Sequence, residues 1–400
     1  MEQRIIPKKL RGTVTVPPSK SQAHRAIIAA CLAHGTSEIK NIAFSQDISA
    51  TISVMEAFGA SVKTNANTLS VCGSLPDGAE NAVIDCCESG STLRFLIPLS
   101  FLSGRKTTFT GRGRLMQRPL EPYFALCEQD GIGYELSDSS VTFCGKLKGG
   151  TYRLPGNISS QFITGLLYAL PLVSRDSVLE LTTEVESVGY IRMTLDILNA
   201  FGINITHDNY QTYYIPGNQS YKPCNITIEG DYSQAAFYLC ANAMGSQVNV
   251  LGLTPNSHQG DKEILSIIKE FDSPLSGISI NVSQIPDLVP VLAVLATQAE
   301  GETIIMNAAR LRIKESDRLT TTTDMLRRLG AKITETEDSL IIQGKTPLTG
   351  GIIDACNDHR IAMAAAIAAT VANGEVTVLG ADCVAKSYGN FWQDYLSLQG

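Results

Sequence analysis

The sequence predicts an α/β fold of two similar domains, each built from three βαβαββ-like repeat units. Two interleaved repeats carry that expectation. In the first, a small-residue apolar helix pattern runs into a Gly or polar turn and then a short β-rich run. It occurs six times: RAIIAACLAHGTSEIKNI, RFLIPLSFLSGRKTTFTG, QFITGLLYALPLVSRDSVLELT, AAFYLCANAMGSQVNVLG, VPVLAVLATQAEGETIIMNA and RIAMAAAIAATVANGEVTVLG. In the second, an amphipathic helix closes on Gly and is followed by two β-rich runs split by a polar turn. Its copies are SVMEAFGASVKTNANTLSVCG, FALCEQDGIGYELSDSSVTFCG, LDILNAFGINITHDNYQTYYIPG and DMLRRLGAKITETEDSLIIQG, with SIIKEFDSPLSGISINVS a degenerate fifth. Gly supplies the left-handed residue of a helix C-cap, and the alternating runs fit hairpin strands. One unit therefore reads strand, helix, strand, helix, strand, strand, with a mixed sheet.

The last unit stops after CVAKSYGNFWQDYLSLQG without its strand pair, while RIIPKKLRGTVTVPP is a strand pair without a helix. The N-terminus is expected to complete the last unit. The domains then fall at 19–229 and at 1–18 plus 230–400, with hinges near 17–19 and 229–231. Hinges so placed would let the domains close on a ligand.

A 400-residue chain with 44% apolar and 18% charged residues is globular with a substantial core. Its net charge is −7, with no basic block, which argues against a nucleic-acid partner. No apolar run reaches the ~18 residues of a membrane helix, and the N-terminal segment reads as strand. The ten Cys lack metal-ligand spacing and mostly lie in apolar runs or at strand ends, so buried free thiols in a cytoplasmic protein are expected. No metal or cofactor is demanded by any cluster.

The chemistry-bearing residues precede the helices. Helix starts expose unpaired N–H groups and favour anions. SKSQAHR places Lys20 and Arg25 around Ser21, which could cap the helix or donate to an oxyanion; His24 reads as incidental. ESGSTLR places Gly90 where a side chain would obstruct a ligand, and MQRPL sets Arg118 in a loop. NISSQF offers Ser159, Ser160 and Gln161, and VESVGYIR adds Ser187 and Tyr190. IPDLVP holds Asp287 among apolar residues, where a raised proton affinity would suit general acid/base work. RLRIKESDRL is the densest charged site. On a helix Lys314 and Arg318 share a face, with Glu315 beside them. NDHR puts His359 and Arg360 at a helix start, and CVAKSYG adds Lys386. A capped helix or a solvated charge accounts for each cluster alone. Their common register in the repeat is harder to explain that way.

SKSQAHR, SGSTLR, QRPL, SSQF, IPD, KESDRL, NDHR and CVAKSYG, in this order over residues 9–397, resemble the 5-enolpyruvylshikimate-3-phosphate synthase family of enolpyruvyl transferases. The resemblance implies the inside-out α/β barrel of that family, with the ligand cleft between two domains. It implies transfer of the enolpyruvyl group of phosphoenolpyruvate to the 5-hydroxyl of shikimate 3-phosphate. Carried over by motif, Lys20, Ser21, Arg25, Ser159, Ser160, Gln161, Ser187, Tyr190, Asp287 and Lys314 would hold shikimate 3-phosphate. Lys20, Gly90, Arg118, Gln161, Arg318, His359, Arg360 and Lys386 would hold phosphoenolpyruvate. Asp287 would take the hydroxyl proton, and Glu315 with Lys314 would manage protons at the methylene carbon, aided by Lys20. The implied partners are these two small molecules, with a monomeric chain and neither nucleic acid nor membrane.

Glu88 stands where many members have Asn, which puts that side chain's role in doubt. Gly90 leaves room for glyphosate, so moderate inhibition is expected. Alternatives are a UDP-N-acetylglucosamine enolpyruvyl transferase, an RNA-terminal phosphate cyclase and a non-catalytic anion-binding repeat protein. The first would carry Lys-Asn where this chain has Lys20-Ser21, and a loop Cys that RGRLMQR lacks. The second would need a nucleotide-transfer His and a more basic surface. The third would not need Asp287 or Glu315.

Overall fold

The structure, a computed structural model, describes residues 1–74 and 81–399. It divides into two compact units, Pro18–Glu229 and Met1–Pro17 with Gly230–Gly400. These are the N-terminal and C-terminal units below. The chain opens with two strands of the C-terminal unit, β1 (Glu2–Ile5) and β2 (Arg11–Thr15).

The N-terminal unit begins with α1 (Lys20–Leu32), β3 (Gly35–Lys40), α2 (Gln46–Ala57), β4 (Ser61–Asn65) and β5 (Thr68–Gly73). Next come β6 (Ala82–Asp85), α3 (Gly90–Ser100), β7 (Thr107–Thr110), α4 (Glu121–Asp130), β8 (Gly133–Leu136) and β9 (Ser140–Cys144). The third set is β10 (Thr151–Leu154), α5 (Ser160–Ala169), β11 (Ser177–Leu181), α6 (Val188–Ala200), β12 (Thr206–Asp208) and β13 (Thr212–Ile215). In the second and third sets the leading strand runs parallel to the next, and a hairpin completes the sheet antiparallel, in the orders β6-β7-β9-β8 and β10-β11-β13-β12. The first set has no leading strand ahead of it in sequence. β14 (Ile226–Thr227), from the far end of the unit, takes that place parallel to β3.

The C-terminal unit continues with α7 (Tyr232–Ala243), β15 (Gln247–Leu251), α8 (Ile264–Glu270), β16 (Ser279–Asn281), α9 (Val289–Ala296), β17 (Gly301–Met306) and α10 (Arg318–Arg328). It ends with β18 (Lys332–Glu335), β19 (Leu340–Gly344), β20 (Gly351–Asp354), α11 (His359–Ala369), β21 (Val376–Leu379) and α12 (Phe391–Ser397). The sheet β16-β17-β19-β18 has the full pattern. Among the described residues β15 pairs with β2 alone, and β21 lies between β20 and β1, which runs antiparallel to it from Glu2 opposite Leu379 to Ile5 opposite Val376. SIIKEFDSPLSGISINVS departs from expectation. It yields α8 and the single strand β16, which leads the following sheet instead of closing a hairpin.

The first helix of each set is buried almost all round. In α5 every residue but Gln161 is buried, and in α11 all of His359–Ala369 is. A helix apolar on every side belongs to the core. The alanines of α11 give it slim sides, and it packs against α7 and α9. Glycine makes the close approaches possible. A Cβ on Gly73 would stand 2.3 Å from the Ala33 carbonyl oxygen at the end of α1, and one on Gly344 would stand 2.1 Å from that of Ala299 after α9. Each unit has its own apolar core. All ten cysteines are free thiols. Cys31, Cys86, Cys127, Cys240 and Cys383 are buried, but Cys72, Cys144 and Cys356 are exposed, so the strand-end cysteines divide: Cys86, just past β6, is buried and the other three are not.

Candidate active site

In the N-terminal unit the helix starts carry hydroxyls, amides and cations. Of the two roles open to Ser21, the cap of α1 falls instead to Ser19, which accepts from the Gln22 N–H at 3.3 Å. That leaves Ser21 in the first turn, next to Lys20, whose Nζ meets Asp47 Oδ2 of α2 at 2.6 Å. Arg25 is 2% exposed. Its Nε donates to Thr194 Oγ1 and its Nη1 to the Ser21 carbonyl, both at 2.8 Å. Its guanidinium lies 5.0 Å from the Phe95 ring centre and 5.8 Å from that of Tyr190. Among the described residues no carboxylate pairs with it.

Gly90 opens α3 behind its cap, Ser89. A Cβ there would lie 2.8 Å from Arg118 Nη1 and 3.5 Å from Gln161 Oε1, so the bare Cα is what lets the guanidinium approach. Gln161 is held from two sides: Arg94 Nη1 donates to its Oε1 at 2.9 Å, and its Nε2 donates to Ser91 Oγ at 3.1 Å. Ser159 caps α5, with Ser160 buried beside it. Ser187 holds φ +58 ahead of α6, and its carbonyl accepts from the Tyr190 N–H at 3.0 Å.

In the C-terminal unit the corresponding helix starts carry carboxylates. Asp358 caps α11, accepting from the Arg360 N–H at 3.0 Å. Asp287 sits in the turn Pro286–Leu288 ahead of α9. Its Oδ1 accepts from Arg318 Nη1 at 2.8 Å and faces Lys314 Nζ at 3.7 Å, while its Oδ2 meets Arg360 Nη2 at 3.2 Å. Arg318 also binds Glu315 Oε2 at 2.6 Å and Asp358 Oδ2 at 2.8 Å. Lys386 Nζ donates to the Asn357 carbonyl at 2.6 Å, and His359 is buried at the first position of α11.

This arrangement sets the protonation states. Burial alone would raise the Asp287 carboxyl. Arg360, Lys314 and Arg318 together override it and hold the group well below the usual carboxylate range. The expectation of a raised proton affinity is thus reversed, because the surroundings are cationic and not apolar. Burial lowers Lys314 despite the pull of Asp287, with Arg318 and Arg310 pushing the same way. Burial pushes the Asp261 carboxyl up to about 7, with Asp287 adding to the effect and Arg360 opposing it. Among the described residues no cluster of His, Cys, Asp and Glu could hold a metal ion.

The family model of EPSP synthase (3-phosphoshikimate 1-carboxyvinyltransferase) matches residues 5–395. The chain belongs to the EPSP synthase family. Among EPSP synthase relatives, 3-phosphoshikimate 1-carboxyvinyltransferase of Clostridium perfringens (strain SM101 / Type A) is 48% identical, with 99% of this chain and 98% of that protein covered. The enzyme of the same name from Clostridium kluyveri is 46% identical, with 99% and 97% covered. The solved structure of EPSP synthase from Acinetobacter baumannii superposes with a TM-score of 0.82 at 26% identity, covering 99% of this chain and 98% of that one. The enolpyruvyl transferase NikO from Streptomyces tendae shares the fold, with a TM-score of 0.80 at 18% identity over 99% and 96% of the two chains.

The residues named from the sequence of this EPSP synthase family member divide between its two units. Lys20, Ser21, Arg25, Gly90, Arg118, Ser159, Ser160, Gln161, Ser187 and Tyr190 belong to the N-terminal unit; Asp287, Lys314, Glu315, Arg318, His359, Arg360 and Lys386 belong to the C-terminal one. One local expectation fails. Lys314 and Arg318 do not share a helix face, since Asp317 caps α10 at Arg318 and Lys314 lies in extended chain before it. Both cations still reach Asp287, so the anion between them is a carboxylate of this chain. Asp231, at the hinge expected near 229–231, caps α7. Sequence reasoning missed Asp47, Asp261 and the ligating roles of Arg94 and Asp358. Asp358 was visible as the residue before His359 and Arg360. Asp47 lies 27 residues from Lys20, and nothing in the sequence pairs them.

Proposed function

We propose that this chain transfers the enolpyruvyl group of phosphoenolpyruvate to the 5-hydroxyl of shikimate 3-phosphate, giving 5-enolpyruvylshikimate 3-phosphate and phosphate on the route to chorismate and the aromatic amino acids. The observation that carries this is Asp287, a half-buried carboxylate kept ionised by Arg318, Arg360 and Lys314. A protein that merely held anions would gain nothing from a base among its cations. The names of the relatives and the family model support the same reaction.

Shikimate 3-phosphate is assigned to Arg25, Ser21, Ser159, Ser160, Gln161, Ser187 and Tyr190, with Lys20 nearby. Among the described residues no carboxylate balances the charge of buried Arg25, which suits a phosphate. Phosphoenolpyruvate is assigned to Lys20, Gly90, Arg118, Gln161, Arg318, His359, Arg360 and Lys386. Asp287 takes the proton of the attacking hydroxyl as its oxygen bonds to C2 of phosphoenolpyruvate. Glu315 or Lys314 delivers a proton to C3, giving a tetrahedral ketal. Phosphate then leaves from C2, a methyl proton returns to the same pair, and the enol ether is formed. Burial lowers the proton affinity of Lys314, so it gives up a proton more readily than an exposed lysine would. The Arg and Lys groups stabilise the departing phosphate. Bare Gly90 beside Arg118 supports inhibition by glyphosate. The chain is proposed to act as a cytoplasmic monomer without a nucleic-acid partner; among the described residues no helix is long and apolar enough to cross a membrane.

Phosphate release by the purified protein, measured with each substrate alone and with both, tests the assignment. Release is expected only with both present, and no release with both would overturn it.

A further inference from the structure

We propose that His24 is a positioning residue for phosphoenolpyruvate: through Thr51 and Thr92 it locks the start of α3, with Gly90, in register with Lys20 on α1. This rests on the reaction assigned above. Four buried side chains form one hydrogen-bonded chain across three helices. His24 Nδ1 lies 2.7 Å from Thr51 Oγ1, Thr51 Oγ1 lies 2.7 Å from Thr92 Oγ1, and Thr92 Oγ1 donates to Ser89 Oγ at 2.7 Å. Ser89 is the cap of α3, accepting the Thr92 N–H at 3.2 Å. All four are at most 1% exposed.

The proton count gives the chain a direction. Thr92 spends its hydrogen on Ser89, so it accepts from Thr51. Thr51 has then spent its own, and His24 must donate from Nδ1–H. The imidazole is neutral, because its other nitrogen meets no partner among the described residues. Burial and the charges of Lys20 and Arg25 hold its proton affinity well below the ordinary histidine value.

Helix geometry shows what the chain is for. Lys20 and His24 are four residues apart on α1, and Asp47 and Thr51 are four apart on α2, so each pair shares a face. Lys20–Asp47 and His24–Thr51 are therefore two rungs between the same helices. The outer rung sets the ammonium. The inner one continues through Thr92 to the helix start that carries Gly90. Removing His24 leaves Thr51 unsatisfied in the interior and frees α3 to shift against α1. Such a shift moves Gly90 and Lys20 relative to each other, but not the Arg25 contacts to Thr194 and Ser21.

KM for both substrates is to be measured in wild type, His24→Leu, His24→Asn, Thr51→Val and the His24→Leu/Thr51→Val double variant. His24→Leu is expected to raise KM for phosphoenolpyruvate about tenfold and KM for shikimate 3-phosphate less than about twofold. His24→Asn should recover most of the loss, since its Nδ2–H stands where Nδ1–H stood. The double variant should be no worse than His24→Leu, as both cut one chain. If His24→Leu fails to fold, the same split in Thr51→Val carries the test. The imidazole ¹⁵N shifts should report the Nδ1–H tautomer, without titration, from about pH 6 to 8. The inference is overturned if both KM values rise together, if neither moves, if Asn rescues nothing, or if the imidazole titrates. Wild type without phosphate release would instead defeat the assigned reaction.

Discussion

The two units use buried cations in opposite ways. In the N-terminal unit Arg25 is surrounded by a hydroxyl, a carbonyl and two aromatic rings. In the C-terminal unit Arg318, equally buried, is gripped by Asp287, Glu315 and Asp358. A buried cation without a carboxylate partner is costly until an anion arrives, so it acts as a binding group. A cation among carboxylates is already neutralised, and what it does is fix their protonation. On the proposed assignment the same repeat, with helix starts at matching places, serves as a binding half and a proton-handling half. Lys20 departs from Arg25 in this respect, because Asp47 pairs with it.

That contrast can be broken in three places. The largest effect is expected for Asp287→Asn, which keeps the shape of the side chain but cannot take a proton. The turnover number should fall about 10²–10⁴-fold, while the shikimate 3-phosphate dissociation constant, read by calorimetry, stays within about threefold. Undiminished turnover would remove Asp287 as the base. Arg25→Ala should do the reverse, raising KM for shikimate 3-phosphate about 10–100-fold with a smaller change in the turnover number. If the loss falls mainly on turnover, the division of labour between the halves is wrong.

The smallest effect concerns Asp261, whose Oδ2 accepts from Ser233 Oγ. Unfolded, an aspartate loses its proton near pH 3.9. Folded, Asp261 keeps it to about 7. Between those values the folded state binds more protons, so this group's contribution to stability falls as pH rises toward 7 and is flat beyond. Asn at this position stays neutral and escapes the loss. Asp261→Asn should therefore raise Tm more at pH 8 than at pH 5, by about 2–5 °C. An equal change at both pH values would show that Asp261 ionises normally.

The recurring helix starts were legible because their causes are local. Ser159, Asp231 and Asp358 cap the helices that follow them, and a cap needs only the next few residues. The ladder of His24 was not legible. A histidine beside Lys20 and Arg25 looked incidental, since Thr51 lies 27 residues beyond it and Thr92 another 41 beyond Thr51. The helical face drawn through Lys314 and Arg318 failed for a local reason, the cap at Asp317, yet both cations found the same carboxylate 31 residues or so away in sequence. Long-range pairing overrode the wrong local geometry.

Period, caps and residue types were enough to determine the repeat, its α/β class and the roster of ionisable groups, because each depends on spacing along the chain. Which charge neutralises which was decided only by the tertiary structure. The proton affinity of Asp287 turned from raised to lowered once Arg318, Arg360 and Lys314 were found around it. A charge responds to every neighbour within a few ångströms, whatever its distance in sequence, so its state belongs to the fold.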